Sequence, residues 1–366
     1  MSLDIVLAAP HSPAEAPVAQ QRARIADDVA MLRLAAEVTR DLAPARPVIF
    51  WTDFLGSSAL GYAALATAMI ASGLLAVTAG VVAVLALYRA GSFIHELTHV
   101  KHSTLPGFRF GWNFVLGIPL LVPSFLYEGV HTLHHQRTRY GTAEDPEYLP
   151  LALMKPWSLP LFVVVSLLAP LVLLVRFAIV SPLSLISIKL RTAVVTRYSA
   201  LAINPTFVRR APDGALKTQW AWQEAAASVW AIALIALVAT GTLPVRSFLI
   251  FLGVAAGVAV LNQVRTLVAH LWENDGDAMT VTAQYLDSVN VPPPAFLPFL
   301  WAPVGLRYHA LHHLLPSLPY HALGEAHRRL SAAVGEGSPY HRSSHAGLPV
   351  LVKRLVAGTM RARPVA

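Results

Sequence analysis

The chain of 366 residues contains no cysteine. That absence excludes a disulfide scaffold, thiolate zinc sites, cysteine-bound iron–sulfur clusters and cysteine nucleophiles. Charge is scarce too. Asp, Glu, Lys and Arg make up 13% of the residues, about half the share usual in a soluble domain. Disorder requires low hydrophobicity and high charge, whereas 55% of these residues are hydrophobic. An ordinary soluble enzyme is equally at odds with this composition. No apolar stretch follows the first Met, so a secretory signal peptide is not expected. In excess are 15 His, 27 Pro and long runs without charge.

Residues 54–88, 225–245 and 247–264 carry no charged side chain. A helix needs about 20 apolar residues to cross a hydrocarbon core. The first run is therefore long enough for two spans, with a tight turn near Ser72-Gly73. The other two read as a second helical hairpin, closed by Gly241-Thr-Leu-Pro244. Lys plus Arg is 28 against 20 for Asp plus Glu, a net charge of +8. Lys189, Arg191, Arg197, Arg209, Arg210 and Lys217 cluster between apolar segments without interleaved aromatics. No nucleic-acid partner is expected; the positive-inside rule instead places this connection in the cytoplasm.

Three regions are expected. Residues 1–50 hold an Ala- and Pro-rich disordered stretch at 8–19 and an amphipathic helix within 21–42, marked by Ile25, Val29, Leu32 and Ala36. Residues 51–330 form the membrane domain. Residues 331–366 form a basic tail in which Leu351, Val352, Leu355 and Val356 are spaced for a second amphipathic helix.

Nine histidines fall into three clusters. They are His95-Glu-Leu-Thr-His99 followed by His102, His131-Thr-Leu-His134-His135, and His309-Ala-Leu-His312-His313. Residues at i, i+3 and i+4 share one helix face, about 5–6 Å apart. Each cluster therefore presents two or three imidazoles to one place, and imidazole binds Zn, Fe, Cu and Ni well. Buried rings without partners are costly, and a metal satisfies one nitrogen of each. Eight such rings exceed the needs of one ion, since a catalytic zinc takes three protein ligands. Two ions are expected. His270 follows the last span on the same side and is a ninth candidate; His102 is a further possible one. Among Glu128, Glu144, Asp145, Glu147 and Glu273, one or two could accept a ring N–H from a ligand histidine.

In order, spacing and membrane context these clusters resemble the membrane fatty acid desaturase family, which includes related hydroxylases. Its pattern is His-x3/4-His followed by two His-x2/3-His-His boxes. The match runs over His95/His99, His131/His134/His135 and His309/His312/His313, from about residue 50 to residue 330. The resemblance implies a non-haem di-iron centre, O2 as co-substrate, and removal of hydrogen from an unactivated acyl C–H bond. Electrons would come from an external donor such as ferredoxin or cytochrome b5; no His-Pro-Gly-Gly motif of a fused cytochrome b5 domain occurs. Some members carry an extra histidine after the last span, which His270 matches. In some, an Asn one turn before it reaches the metal through water. Thr266 stands at that position here, and Asn262 two turns back is kept as a possible contact.

One metal centre requires all boxes on one side of the membrane. Residues 112–127 are too short to span comfortably and read as interfacial. Residues 157–188 are awkward, because a single crossing would put box two and His270 on opposite sides. They are predicted to form a re-entrant or membrane-surface segment, bent at Pro160 or Pro170. The expected fold is an all-α integral membrane protein with four transmembrane helices in two hairpins and a cytoplasmic, histidine-rich helical cap. An acyl chain is expected to enter an apolar tunnel, with Trp112, Phe125 and Tyr127 as candidates for its lining or, equally, for membrane-interface anchors. The substrate would be a fatty acyl lipid or acyl thioester. The lack of a basic acyl-CoA pocket tilts this toward lipid-linked chains, with membrane lipid as surroundings. Desaturation is the primary expectation and hydroxylation the alternative. A distant alternative is a membrane zinc protease, because His95-Glu96-x-x-His99 matches H-E-x-x-H and Asp275 could serve as its third ligand. A metal transporter is disfavoured, since its ionisable ligands would lie at mid-membrane.

Overall fold

The computed structural model describes residues 25–361; the stretch expected to be disordered, 8–19, lies outside them. Among the described residues the architecture is helical, with isolated β-bridges and no strand. In chain order the elements used below are α1 (Val29–Val38), α2 (Pro47–Ile70), α3 (Gly73–Gly91), α4 (Phe93–His99), α5 (Val130–His134) and α6 (Ser158–Val175). They continue with α7 (Ile188–Arg197), α8 (Gly214–Ala239), α9 (Val245–Leu267), α10 (Val281–Asp287), α11 (His309–Leu314) and α12 (Leu348–Met360).

Five helical stretches are long and apolar enough to cross a membrane: Pro47–Ile70, Gly73–His99, Ser158–Ser184, Gly214–Ala239 and Val245–Leu267. This is an integral membrane protein by that measure. The two hairpins form as the charge-free runs require. α2 and α3 are joined where Gly73 takes a positive φ of 58°. α8 and α9 are joined at Gly241, with φ 73°. Outward-facing Leu60, Ile70, Leu74, Val77, Val81 and Val229 are exposed, as lipid-facing side chains are. Small residues let the helices approach: a Cβ on Gly61 would meet Leu87 at 2.6 Å, and one on Gly257 would meet Val84 at 2.7 Å. Arg246 donates to the carbonyl of Ala71 at 2.6 Å, so the tips of both hairpins lie together.

The other ends of these helices meet an aromatic core. Phe50 packs edge-on against Phe108 (centroids 5.7 Å) and Tyr320 (4.9 Å). Trp112 donates to the carbonyl of Ala90 at 3.1 Å. Residues 108–126 make short helical turns pinned by Asn113, which accepts from Ser124 N–H at 2.8 Å. This elbow does not span, in keeping with its length.

The segment 157–188 departs from expectation in shape. Ser158–Ser184 is one unbroken helical rod. Pro160 lies in its first turn, where the amide needs no intrahelical acceptor. Pro170 lies inside, followed by a wider π turn at Arg176–Val180. Neither proline bends the rod into a re-entrant loop. Two points along the middle of the rod are nonetheless tied near the same level of the bundle. Ser166 meets Gln263 of α9 at 3.3 Å, and Arg176 meets Glu224 of α8 at 3.3 Å. At 1.5 Å per residue, Gln263 stands about 27 Å and Glu224 about 22 Å from the hairpin tip. Over the intervening ~15 Å the rod therefore changes depth by only ~5 Å.

Other expectations shift locally. α1 buries Met31 and Ala35, while Val29 is exposed; the apolar face is displaced from the Val29/Ala36 line read in the sequence. α12 buries Leu351 and Leu355 against the body of the protein and leaves Val352 and Val356 outside. Two of the six clustered basic residues are structural: Arg191 pairs with Glu224 at 2.7 Å, and Arg209 is buried, donating to the carbonyl of Phe125 at 2.6 Å.

Candidate metal centre

The histidines are delivered by four short elements at the end of the bundle opposite the hairpin tips. His95 and His99 lie one turn apart on α4, which continues α3 past Ser92. His131 and His134 lie on α5, launched from Gly129 with φ 80°, and His135 caps it. His309, His312 and His313 lie on α11. His270 follows the end of α9 in an extended stretch. Leu271 N–H donates to Asp287 O at 2.7 Å and Val289 N–H to Ala269 O at 3.0 Å. Ala310 N–H donates to Val289 O at 3.1 Å, which ties this stretch to box three.

The rings gather into two groups. His95, His99, His131, His135 and His312 form one; His134, His270, His309 and His313 form the other. Within each group the ligand-capable atoms all lie within 4.8 Å of one another. Boxes two and three contribute to both. The Nε2 atoms converge: His131 and His135 at 3.0 Å, His312 and His99 at 3.1 Å, His270 and His309 at 3.0 Å.

The outward nitrogens are held by partners. His134 Nδ1 donates to Asp145 at 2.9 Å, and His131 Nδ1 donates to Glu147. These contacts turn two Nε2 lone pairs inward, as a metal ligand requires. His270 Nδ1 donates to the Tyr140 hydroxyl at 2.8 Å, which donates onward to Asp287 at 3.0 Å. Tyr148 also donates to Asp287, at 2.9 Å. Arg265 donates to His309 Nδ1 at 2.9 Å. His95 Nε2 is buried without a hydrogen-bond partner, as befits a nitrogen reserved for a cation. A nitrogen-rich donor set of this kind fits a first-row transition metal.

Burial, seconded by neighbouring cations and imidazoles, holds His131, His135, His270, His309, His312 and His313 well below the ordinary histidine range. Neutral imidazole is the form that binds metal. Burial also works against a charged His134, but the Asp145 carboxylate outweighs it and the ring is raised. Burial pushes the Glu147 carboxyl up to about 7.

His102 is exposed and outside both groups. Asn262 lies on α9 at the wall of the cavity that His95, His131, His270 and His309 also line, and belongs to neither histidine group. Of the five acidic residues singled out, Asp145 and Glu147 reach ligand rings. Glu128 pairs with Arg109, Glu144 with Arg139 and Glu273 with Arg354. The protease arrangement is not assembled. Glu96 is buried and accepts from Tyr320 N–H at 3.0 Å, and Asp275 is exposed outside both groups. Tyr140, Asp287 and Arg265 were not found by sequence reasoning. A charged Arg265 at the end of an apolar span was the one signal available.

A cavity of about 340 Å³ reaches the histidines from the apolar side. Trp112 and Tyr127 line it with His95, His131, His270 and His309. Phe125 does not; it is buried against Trp220 and Phe177, because the Arg209 contacts draw its backbone into that neighbouring core.

Comparison with known proteins agrees with this geometry. The fatty acid desaturase family model matches residues 70–344. A ceramide hydroxylase of Caulobacter vibrioides is 49% identical over 327 residues, covering 89% of this chain and 93% of its own length. No solved structure matches.

Proposed function

Because the chain belongs to the fatty acid desaturase family, we propose that it is an O2-dependent membrane hydroxylase acting on a lipid-linked acyl or sphingoid chain, with ceramide the leading candidate. The observation that carries this reading is the pair of adjacent all-histidine groups at the end of an apolar cavity. The relative's name, ceramide hydroxylase, favours hydroxylation over the desaturation first expected.

Two iron ions would be held by His95, His99, His131, His135 and His312, and by His134, His270, His309 and His313. When bound they supply the oxidising power to take hydrogen from an unactivated C–H bond. The chain's own residues do the rest. Asp145 and Glu147 keep Nδ1 protons on His134 and His131. Tyr140, backed by Asp287, does the same for His270. The apolar cavity walls exclude water and align the chain. One oxygen atom enters the C–H bond and the other leaves as water, consuming two electrons and two protons from an external donor such as ferredoxin or cytochrome b5. Turnover of ceramide in nanodiscs under isotopically heavy O2 tests this. One heavy oxygen per product is expected. A new carbon–carbon double bond without label would return the reading to desaturation.

We also propose four crossings, with the histidines on the cytoplasmic face. Support comes from the near-level anchoring of Ser158–Ser184 at Gln263 and Glu224. The absence of native cysteine makes Pro150→Cys and Ala215→Cys clean reporters. Both should label from the same side, the cytoplasm; labelling from opposite sides would refute four crossings.

A further inference from the structure

The cavity wall is not uniformly apolar. Where α6 crosses α9, Ser166, Asn262, Gln263 and Thr266 line it together. Ser166 Oγ lies 2.9 Å from the carbonyl of Phe162 and 3.3 Å from Gln263 Oε1. The single Ser166 proton serves one of these two oxygens, and the shorter contact is to Phe162, so at most a weak bond reaches the Gln263 amide. Its Nε2 is buried and has no hydrogen-bond partner. The Thr266 hydroxyl donates to the carbonyl of Asn262 at 2.9 Å, leaving its own oxygen able to accept. A polar group kept inside an apolar segment is expected to face a ligand rather than lipid, and a buried donor without partner binds preferentially whatever completes it.

The position of this polar band is as informative as its chemistry. Arg265, two residues after Gln263, donates to the metal-ligand candidate His309 at 2.9 Å. Less than one helical turn, ~5.4 Å of rise, separates the two side chains along α9. The polar band also lines the same cavity as His95, His131, His270 and His309.

We propose that Gln263, with Ser166 and Asn262, is the specificity-determining site for the polar linkage of an N-acylated lipid. The carbon that is oxidised then lies within a few bonds of that linkage. This rests on the lipid-oxidation reading above and deepens it. The free carboxamide N–H groups of Gln263 donate to the amide carbonyl. Thr266 and the Asn262 side chain accept from the lipid's N–H or hydroxyl. An ester-linked glycerolipid offers the carbonyl but no N–H, and so makes only half of these contacts. A free fatty acid brings a charge that no residue of this band neutralises.

The test compares wild type with Gln263→Leu and Ser166→Ala. KM, kcat, iron content and position of the new group are measured for ceramide and for a phosphatidylcholine of matched chains. Wild type should prefer ceramide and place the new group near the amide. Gln263→Leu should keep its iron, raise KM for ceramide about tenfold with a smaller change in kcat, and scatter the position along the chain. Its KM for phosphatidylcholine should move less. Unchanged KM and position in Gln263→Leu, or mid-chain oxidation by wild type, overturns the proposal. If Gln263→Leu fails to fold or to load iron, Ser166→Ala decides: a smaller KM rise is expected, and none overturns it. A double bond in place of a hydroxyl would defeat the hydroxylase reading alone, because its distance from the amide still judges the site.

Discussion

The two histidine groups are built from the same boxes but held differently. The group of His134, His270, His309 and His313 is buried throughout, whereas His99 and His135 of the five-histidine group are partly open. The outer contacts differ in the same sense. Asp145, which holds His134, is itself fixed by Gly141 N–H and Glu147 N–H, each at 2.9 Å. His270 is backed by Tyr140 and Asp287. In the five-histidine group, Glu147 supports His131 and Glu96 stands at a longer 3.4 Å from His95 Nδ1, while His312 Nδ1 is buried without a partner. Ligands locked by packing and hydrogen bonds hold a metal more tightly than ligands free to turn. The comparison teaches that the count of ligands and the strength of the site run in opposite directions here: four rigid rings should outlast five looser ones.

The largest effect that could break this contrast is ligand loss. His309→Ala or His312→Ala should each lower turnover by roughly a thousandfold or more, since either ion is worth several kcal/mol to the reaction. A His312→Ala enzyme with near-normal turnover would mean that the five-histidine group is not part of the chemistry. Removing an outer partner should cost less, on the order of 10–100-fold in metal affinity. Asp145→Asn should sit at the upper end of that range and Glu147→Gln at the lower, measured by competition with a metal-sensitive dye. The reverse order would contradict the ranking of the two groups.

A smaller effect concerns acid. The six lowered rings stay neutral in the metal-free fold but take up protons in the unfolded chain below its ordinary pKa of about 6.5. The unfolded state then binds more protons, so stability falls as pH drops below about 6.5, by up to ~1.4 kcal/mol per pH unit for each ring. Raised His134 and Glu147 act in the opposite direction but are fewer. Differential scanning of the apoprotein in detergent should show Tm falling between pH 7.5 and 5.5. A flat or rising Tm would mean that the rings are not buried neutral.

Much of the site was legible because the helical repeat places His at i, i+3 and i+4 on one face, and the structure brings together the eight box rings so marked with His270, leaving His102 outside. Asp145 and Glu147 were legible as acids close behind box two. Tyr140 and Asp287 were not, because 147 residues separate two side chains that bond only in the folded chain. Arg265 looked like the end of an apolar run, and its partner His309 stands on another helix. The rod at Ser158–Ser184 was misjudged in shape because prolines were read as bends; Pro160 falls in a first turn, and a π turn after Pro170 keeps the helix continuous. Phe125 was misplaced because an aromatic near a box carries no sign of which cavity its backbone will face. Hydropathy marks the hairpins well, since two uncharged runs allow little else, but which face of α1 is buried depended on packing against the helix Leu323–Ala333, which no local pattern encodes.

Iron stoichiometry under graded chelation tests the central claim most directly. Wild type loaded anaerobically should hold about two irons per chain and lose them in two phases, the five-histidine group first. His313→Ala should abolish the slow phase, and His99→Ala the fast one. A single tightly held zinc, or one phase untouched by either substitution, would contradict a centre of two unequal histidine sites.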